Sequence, residues 1–109
     1  MAAPDKALSL MGFAARARKI QTGYNTARTL MEKGRGRLLI IAEDLSENTK
    51  DKMISYAGQY EVPYEVYGMA DELSHITGNS GKGIFIITDK QFAETIAKAI
   101  NDNKKKEAN

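Results

Sequence analysis

Arg37-Leu-Leu-Ile-Ile-Ala-Glu-Asp44 is the stretch on which the fold turns. From Leu38 to Ala42 it is apolar without interruption. A strand with one wet face would alternate, so the run predicts a strand buried on both faces. Glu43 and Asp44 end it. Ile84-Phe-Ile-Ile87 is a second run of this kind, and Pro63-Tyr-Glu-Val-Tyr67 alternates, predicting a third strand with Pro63 at its first residue.

Helical patterns fill the intervals. From Asp5 to Ile20, Leu8, Met11 and Ala15 form one stripe with Leu10, Ala14 and Ala17 beside it, and Arg16, Arg18 and Lys19 complement the negative end of that helix. Thr22-Gly23 breaks the pattern, and Ala27, Leu30 and Met31 resume it as far as Gly34. Ser46 is the expected N-cap of a helix that buries Met53, Ala57 and Tyr60. Asp71 to Thr77 is a short helix stopped by Gly78, and Asp89 caps a last one marked by Phe92, Ile96 and Ile100. Asn101 to Asn109, with Lys104-Lys105-Lys106, has no apolar anchor. Residues 1–100 are therefore expected to form a single domain and 101–109 a flexible basic tail. Helices alternating with short strands predict an α/β layered domain with helices on both faces of a small sheet.

Composition removes several classes of function. Without cysteine there is no disulfide, thiolate metal site or cysteine nucleophile, and with His75 as the single histidine there is no His-pair metal site. Gly78-Asn-Ser-Gly-Lys82 lacks the spacing of a phosphate-gripping loop and precedes a strand rather than a helix. Glu43 and Asp44 are neighbours at a strand end, expected to point to opposite sides, which argues against a paired-carboxylate metal site. No acid, base and nucleophile can be assembled, so neither an enzyme, a cofactor nor a small-molecule substrate is expected. Apolar runs fall far short of the ~20 residues of a membrane span, and Asp5-Lys6 does not resemble the start of a secretion signal. The expectation is a cytoplasmic protein without a membrane partner.

The net charge of +2 conceals a division along the chain. Residues 1–37 carry eight Lys/Arg against two Asp/Glu, residues 38–75 two against eight, and residues 76–109 six against four. Such segregation predicts one face that attracts polyanions, unless folding intermixes the charges. Within the basic part, Gly23-Tyr-Asn-Thr-Ala-Arg28 places a glycine at the start of a helix, whose free N–H groups can bind an anion or a carbonyl oxygen. Asn25 and Thr26 can read base edges, Arg18, Lys19 and Arg28 can hold phosphates, and Tyr24 can stack on a base or cover the core. The same residues also suit an ordinary helix–helix connection capped by Asn25.

Gly12-Phe-Ala-Ala-Arg-Ala-Arg-Lys19, Gly23-Tyr24, Glu32-Lys-Gly34, Arg37 to Asp44, Ser46-Glu-Asn-Thr-Lys50, Val62-Pro-Tyr64, Glu72-Leu73 and Gly78 occur in an ordered set. From about Ala7 to Ile100 this set resembles the kink-turn-binding ribosomal proteins, namely the large-subunit proteins seven-Ae and thirty-e and their small bacterial homologues. The resemblance implies a three-layer α-β-α sandwich around a small mixed four-stranded sheet. It also implies binding to structured RNA, commonly a kink-turn, in or near the ribosome. The family's Gly-x-Asn-Glu segment corresponds to Gly23 through Thr26, so its acidic residue is Thr26 here, and its later lysine is Thr29. The loop that cradles a bulged base in the family corresponds to Asn79-Ser-Gly-Lys-Gly83, which is polar. The expected surface joins Arg18, Lys19, Gly23, Tyr24, Asn25, Thr26, Arg28, Glu43, Asp44, Gly81 and Lys82. The alternative is a protein-interaction module of the same fold that has lost specific RNA binding.

Overall fold

The structure, a computed structural model, describes residues 5–79 and 83–108. In chain order the elements are α1 (Lys6–Arg16), β1 (Ile20–Thr22), α2 (Tyr24–Glu32), β2 (Leu38–Ile41), α3 (Glu47–Gln59), β3 (Tyr64–Val66), α4 (Ala70–Thr77), β4 (Ile84–Ile87) and α5 (Lys90–Ala108). The four strands form one mixed sheet in the order β1-β4-β2-β3. β2 pairs antiparallel with β4 and parallel with β3, and β1 pairs antiparallel with β4.

β2 and β4 are buried at every position, as the unbroken apolar runs predict. Because strand side chains alternate across a sheet, each run feeds two cores. Leu38, Ile40, Phe85 and Ile87 pack with Met11 of α1, Leu73 of α4 and Ile96 of α5. Leu39, Ile41, Ile84 and Ile86 pack with Ala27 and Met31 of α2 and Met53 and Ala57 of α3. The result is the three-layer α-β-α sandwich. Ser46 caps α3 by accepting from the Thr49 N–H at 3.1 Å, and Asp89 caps α5 by accepting from the Phe92 N–H at 2.9 Å. No helix among the described residues is long and apolar enough to cross a membrane.

Two expectations need correction. The helix expected to run to Ile20 stops at Arg16, and Ile20, Gln21 and Thr22 form an edge strand opposite Ile87, Ile86 and Phe85. The stop is made by Arg18 in the left-handed region, φ 60°. The Arg18 N–H donates to the Ala15 carbonyl at 3.0 Å and the Lys19 N–H to the Ala14 carbonyl at 2.8 Å, the paired bonds of a Schellman ending. The same bond pattern closes α2 at Gly34, α3 at Glu61 and α4 at Gly78, all with positive φ. Where glycine fills the position the sequence announces it; Arg18 does not.

The second correction concerns the chain after Ile100. Rather than a flexible tail from residue 101, α5 continues to Ala108. Its anchors are polar. Asn103 Nδ2 donates to Asp5 Oδ1 at 3.1 Å and to the Tyr67 hydroxyl at 2.8 Å, and Tyr67 in turn donates to Asp5 Oδ2 at 2.5 Å. Asp5 also caps α1, accepting from the Leu8 N–H at 3.1 Å. One carboxylate thus ties the beginning of α1, the end of β3 and the last turns of α5. We expect Asn103→Ala to lower stability by about 1 kcal/mol, the net worth of a partly buried side-chain bond, measurable as a lower urea midpoint at unchanged slope.

Candidate nucleic-acid interface

Gly23 sets the geometry of the candidate surface. With φ 108° and ψ 150° it turns the chain from β1 into α2, a conformation costly for any side chain. Its N–H donates to the Ile84 carbonyl at 3.0 Å, which fixes the start of α2 beside the start of β4. Glycine offers no side-chain cap, and among the described residues no side chain bonds the first-turn N–H groups of α2. The first-turn N–H groups of α2 are therefore left to a ligand or water.

α2 presents three flanks. Ala27 and Met31 are buried on the sheet. Tyr24, Arg28 and Glu32, four residues apart, face α3. Tyr24 meets the Tyr56 ring edge-on at a centroid distance of 6.1 Å, the Arg28 guanidinium lies 4.8 Å from the Tyr56 ring centroid, and Arg28 Nε reaches Glu32 Oε1 at 3.4 Å. Partial burial and the adjacent Tyr56 hydroxyl push the Tyr24 phenol above the ordinary tyrosine range, so it stays neutral at physiological pH. The third flank carries Asn25, Thr26 and Thr29. With Gln21, Leu30, Arg35, Arg37 and Thr88 they line a groove of about 660 Å³.

The expected residues therefore divide. Gly23, Asn25 and Thr26 come together, with Asn25 and Thr26 exposed in the first turn. Tyr24 and Arg28 occupy the neighbouring flank, engaged with α3. Arg18 and Lys19 stand at the far end of β1, where the Lys19 carbonyl accepts from the Thr88 N–H at 2.9 Å. Gly81 and Lys82 lie outside the described residues, although Gly83, just beyond them, accepts from the Ala42 N–H at 2.8 Å near Gly23. Glu43 and Asp44 share that end of the sheet. Their carboxylates do not diverge as expected, because both lie in a turn beyond the strand and bend onto one loop. Glu43 Oε2 accepts from the Gly68 N–H at 3.0 Å, and Asp44 Oδ1 from the Ala70 N–H at 2.8 Å. Asp44 so supplies α4 with the cap that Met69 has no side chain to make.

Asn25 is not a helix cap, since the element before α2 is a strand and Gly23 is the capping residue. Gln21, Arg35, Arg37 and Thr88 were not anticipated in the groove. Arg35 and Arg37 lie in a Gly-Arg-Gly-Arg stretch whose only sequence signal was its share in the basic first third.

The Ribosomal protein L7Ae/L30e/S12e/Gadd45 family profile matches residues 5–107. The chain belongs to this family. RNA-binding protein YlxQ of Enterococcus faecium is 35% identical over 91 residues, covering 83% of this chain and 86% of the relative. RNA-binding protein YlxQ of Bacillus subtilis (strain 168) is 30% identical over 87 residues, covering 80% and 87%. Among solved structures, a protein of unknown function from Bacillus halodurans superposes with a TM-score of 0.86 at 31% identity, over 90% of this chain and 99% of that one. The Giardia lamblia 15.5kD RNA binding protein shares the fold, with a TM-score of 0.73 at 20% identity over 92% and 89%.

Arg18 offers a test of how local strain and surface chemistry separate. A left-handed conformation costs an L-residue about 1–2 kcal/mol, partly offset in any comparison with glycine by the latter's freer unfolded chain. We expect Arg18→Gly to raise stability by up to about 1 kcal/mol, seen as a higher melting temperature. A lower one would mean that the Arg18 side chain holds a packing role.

Proposed function

We propose that this protein recognises a kink-turn-like structured RNA, as a ribosomal or ribosome-associated component of the cytoplasm. Its broader class, a non-enzymatic RNA-binding protein, follows from family membership and from relatives that are RNA-binding proteins. The observation that carries the finer reading is the uncapped start of α2, where Gly23 brings free N–H groups, Asn25 and Thr26 to one exposed turn.

In this reading the N–H groups and the Asn25 amide contact base edges or sugar hydroxyls in a distorted groove, while cations outside the turn contact phosphates and set register. Thr26 contributes a hydroxyl rather than a carboxylate, so it can donate as well as accept. Arg18 and Lys19 reach phosphates at the other end of β1. Arg28, stacked on Tyr56, meets only RNA that extends toward α3. Glu43 and Asp44 act indirectly by holding the loop before α4, and Gly81 and Lys82 are proposed as further RNA contacts on the sequence resemblance alone.

A titration series over increasing salt, against a kink-turn RNA and a straight duplex of equal length, tests the proposal. Preference for the kink-turn is expected, with a log–log salt slope of about −3 to −4 if four or so phosphates are neutralised. Asn25→Ala is expected to cost about 1–3 kcal/mol of affinity. Equal, weak binding to both RNAs would remove the kink-turn reading, and a purified protein with no saturable RNA binding would point to a protein-interaction role instead.

A further inference from the structure

The groove beside α2 extends the candidate surface well beyond the turn at Gly23. It begins at Asn25 and Thr26, passes Thr29 and Gln21, and ends at Arg35, Arg37 and Thr88. Sheet register explains its walls. Gln21 lies opposite Ile86, so it shares the face of the sheet on which α2 packs, yet at the edge strand it is left exposed.

The basic end of the groove is built rather than adventitious. The Arg35 and Gly36 N–H groups both donate to the Leu30 carbonyl, at 2.9 and 3.2 Å, and the Arg37 N–H donates to the Ile87 carbonyl at 2.7 Å. Gly36 sits so close to the sheet that a Cβ there would meet Ile86 Cδ1 at 2.8 Å and Met31 Cγ at 3.2 Å. Position 36 therefore faces inward, and its neighbours at 35 and 37 face out together, both exposed. Thr88, which lines this end of the groove, donates to the Lys19 carbonyl through both its N–H and its hydroxyl.

Three features of this groove select an anion of extended form. Its lining holds two arginines and no carboxylate. Among the described residues neither arginine has an ion-pair partner, in contrast to Arg28 with Glu32. Its remaining polar groups are threonine hydroxyls and two amides, all able to donate to phosphate oxygens. α2 has nine residues, so the groove along it is about 13 Å long, room for a few successive phosphates.

We infer that the groove holds the phosphodiester backbone of one RNA strand leaving the nucleotides at Asn25, with Arg35 and Arg37 as its distal phosphate contacts. The inference rests on the RNA reading above and adds a direction and a second station to it. Arg35 and Arg37 supply affinity and register, whereas Asn25 supplies discrimination.

The test uses the full chain and a kink-turn RNA, titrated over a salt series with wild type, R35Q/R37Q, N25A and a charge-matched control, K52Q/K98Q, on exposed positions of α3 and α5. For R35Q/R37Q the affinity is expected to fall at least tenfold at low salt and the salt slope to shrink by about 1.5 to 2, with an unchanged melting temperature. N25A is expected to weaken binding at every salt concentration with the slope preserved, and K52Q/K98Q to leave the slope unaltered. If N25A weakens binding and R35Q/R37Q retains the wild-type slope, the groove assignment is wrong and the RNA reading survives. A slope reduced equally in K52Q/K98Q would attribute the effect to overall charge and overturn the assignment. Saturable binding of ADP to the RNA-free protein, lost in R35Q/R37Q, would make the groove a small-anion site instead. Failure of wild type to bind any RNA would remove both readings.

Discussion

The pairing of Leu38–Ile41 with Ile84–Ile87 is the contact from which the remaining geometry descends. Both strands are buried on both faces, so every backbone amide within them has to be paired inside the sheet. A slip of one residue would exchange the side chains of the two cores and is strongly disfavoured. With Leu38 held opposite Ile87 and Ile41 opposite Ile84, the two ends of the sheet acquire distinct populations. Gly23, Gly83 and the Glu43-Asp44 turn gather at one end, and Lys19, Arg37 and Thr88 at the other. The surface residues have their positions because the apolar ladder has a single register.

The apolar ladder was legible because its signal is local and strong. Leu38–Ala42 and Ile84–Ile87 have no reading as wet strands, and Gly34 and Gly78 mark helix ends by the absence of a side chain. β1 was illegible for the opposite reason. The run Ala-Arg-Ala-Arg-Lys favours a helix, and only a distant partner, Ile87-Ile86-Phe85, converts its continuation into a strand. The end of α5 carries no local signal, because its anchor is not an apolar stripe but a bond from Asn103 to Asp5, 98 positions apart in sequence.

The candidate site was half legible. Glycine followed by Asn25 and Thr26 at a helix start has a local physical meaning. Which cations share a surface with that turn is a property of topology. Arg28, two residues beyond Thr26, faces another helix, while Arg35 and Arg37, nine and eleven beyond, line the same groove. The acidic middle of the chain has an equally structural account, since Glu43 and Asp44 organise the approach to α4 and Glu65 meets Lys104 Nζ at 3.0 Å. Charges that look like a repelling block in sequence are partly used up in holding loops.

The placement of β1 and α1 bears on how the chain is made. β1 has one strand neighbour, β4, and α1 packs mainly on α4 and α5, so elements made early within this domain depend on elements made late. Until Ile84 and its successors are available, Ile20 has no ladder and the cluster around Met11 lacks Phe85, Ile87 and Ile96. α1 and β1 therefore do not serve as an early base on which the rest of the domain is built. Closure of the domain waits for β4 and α5, so long-range contacts weigh on its rate.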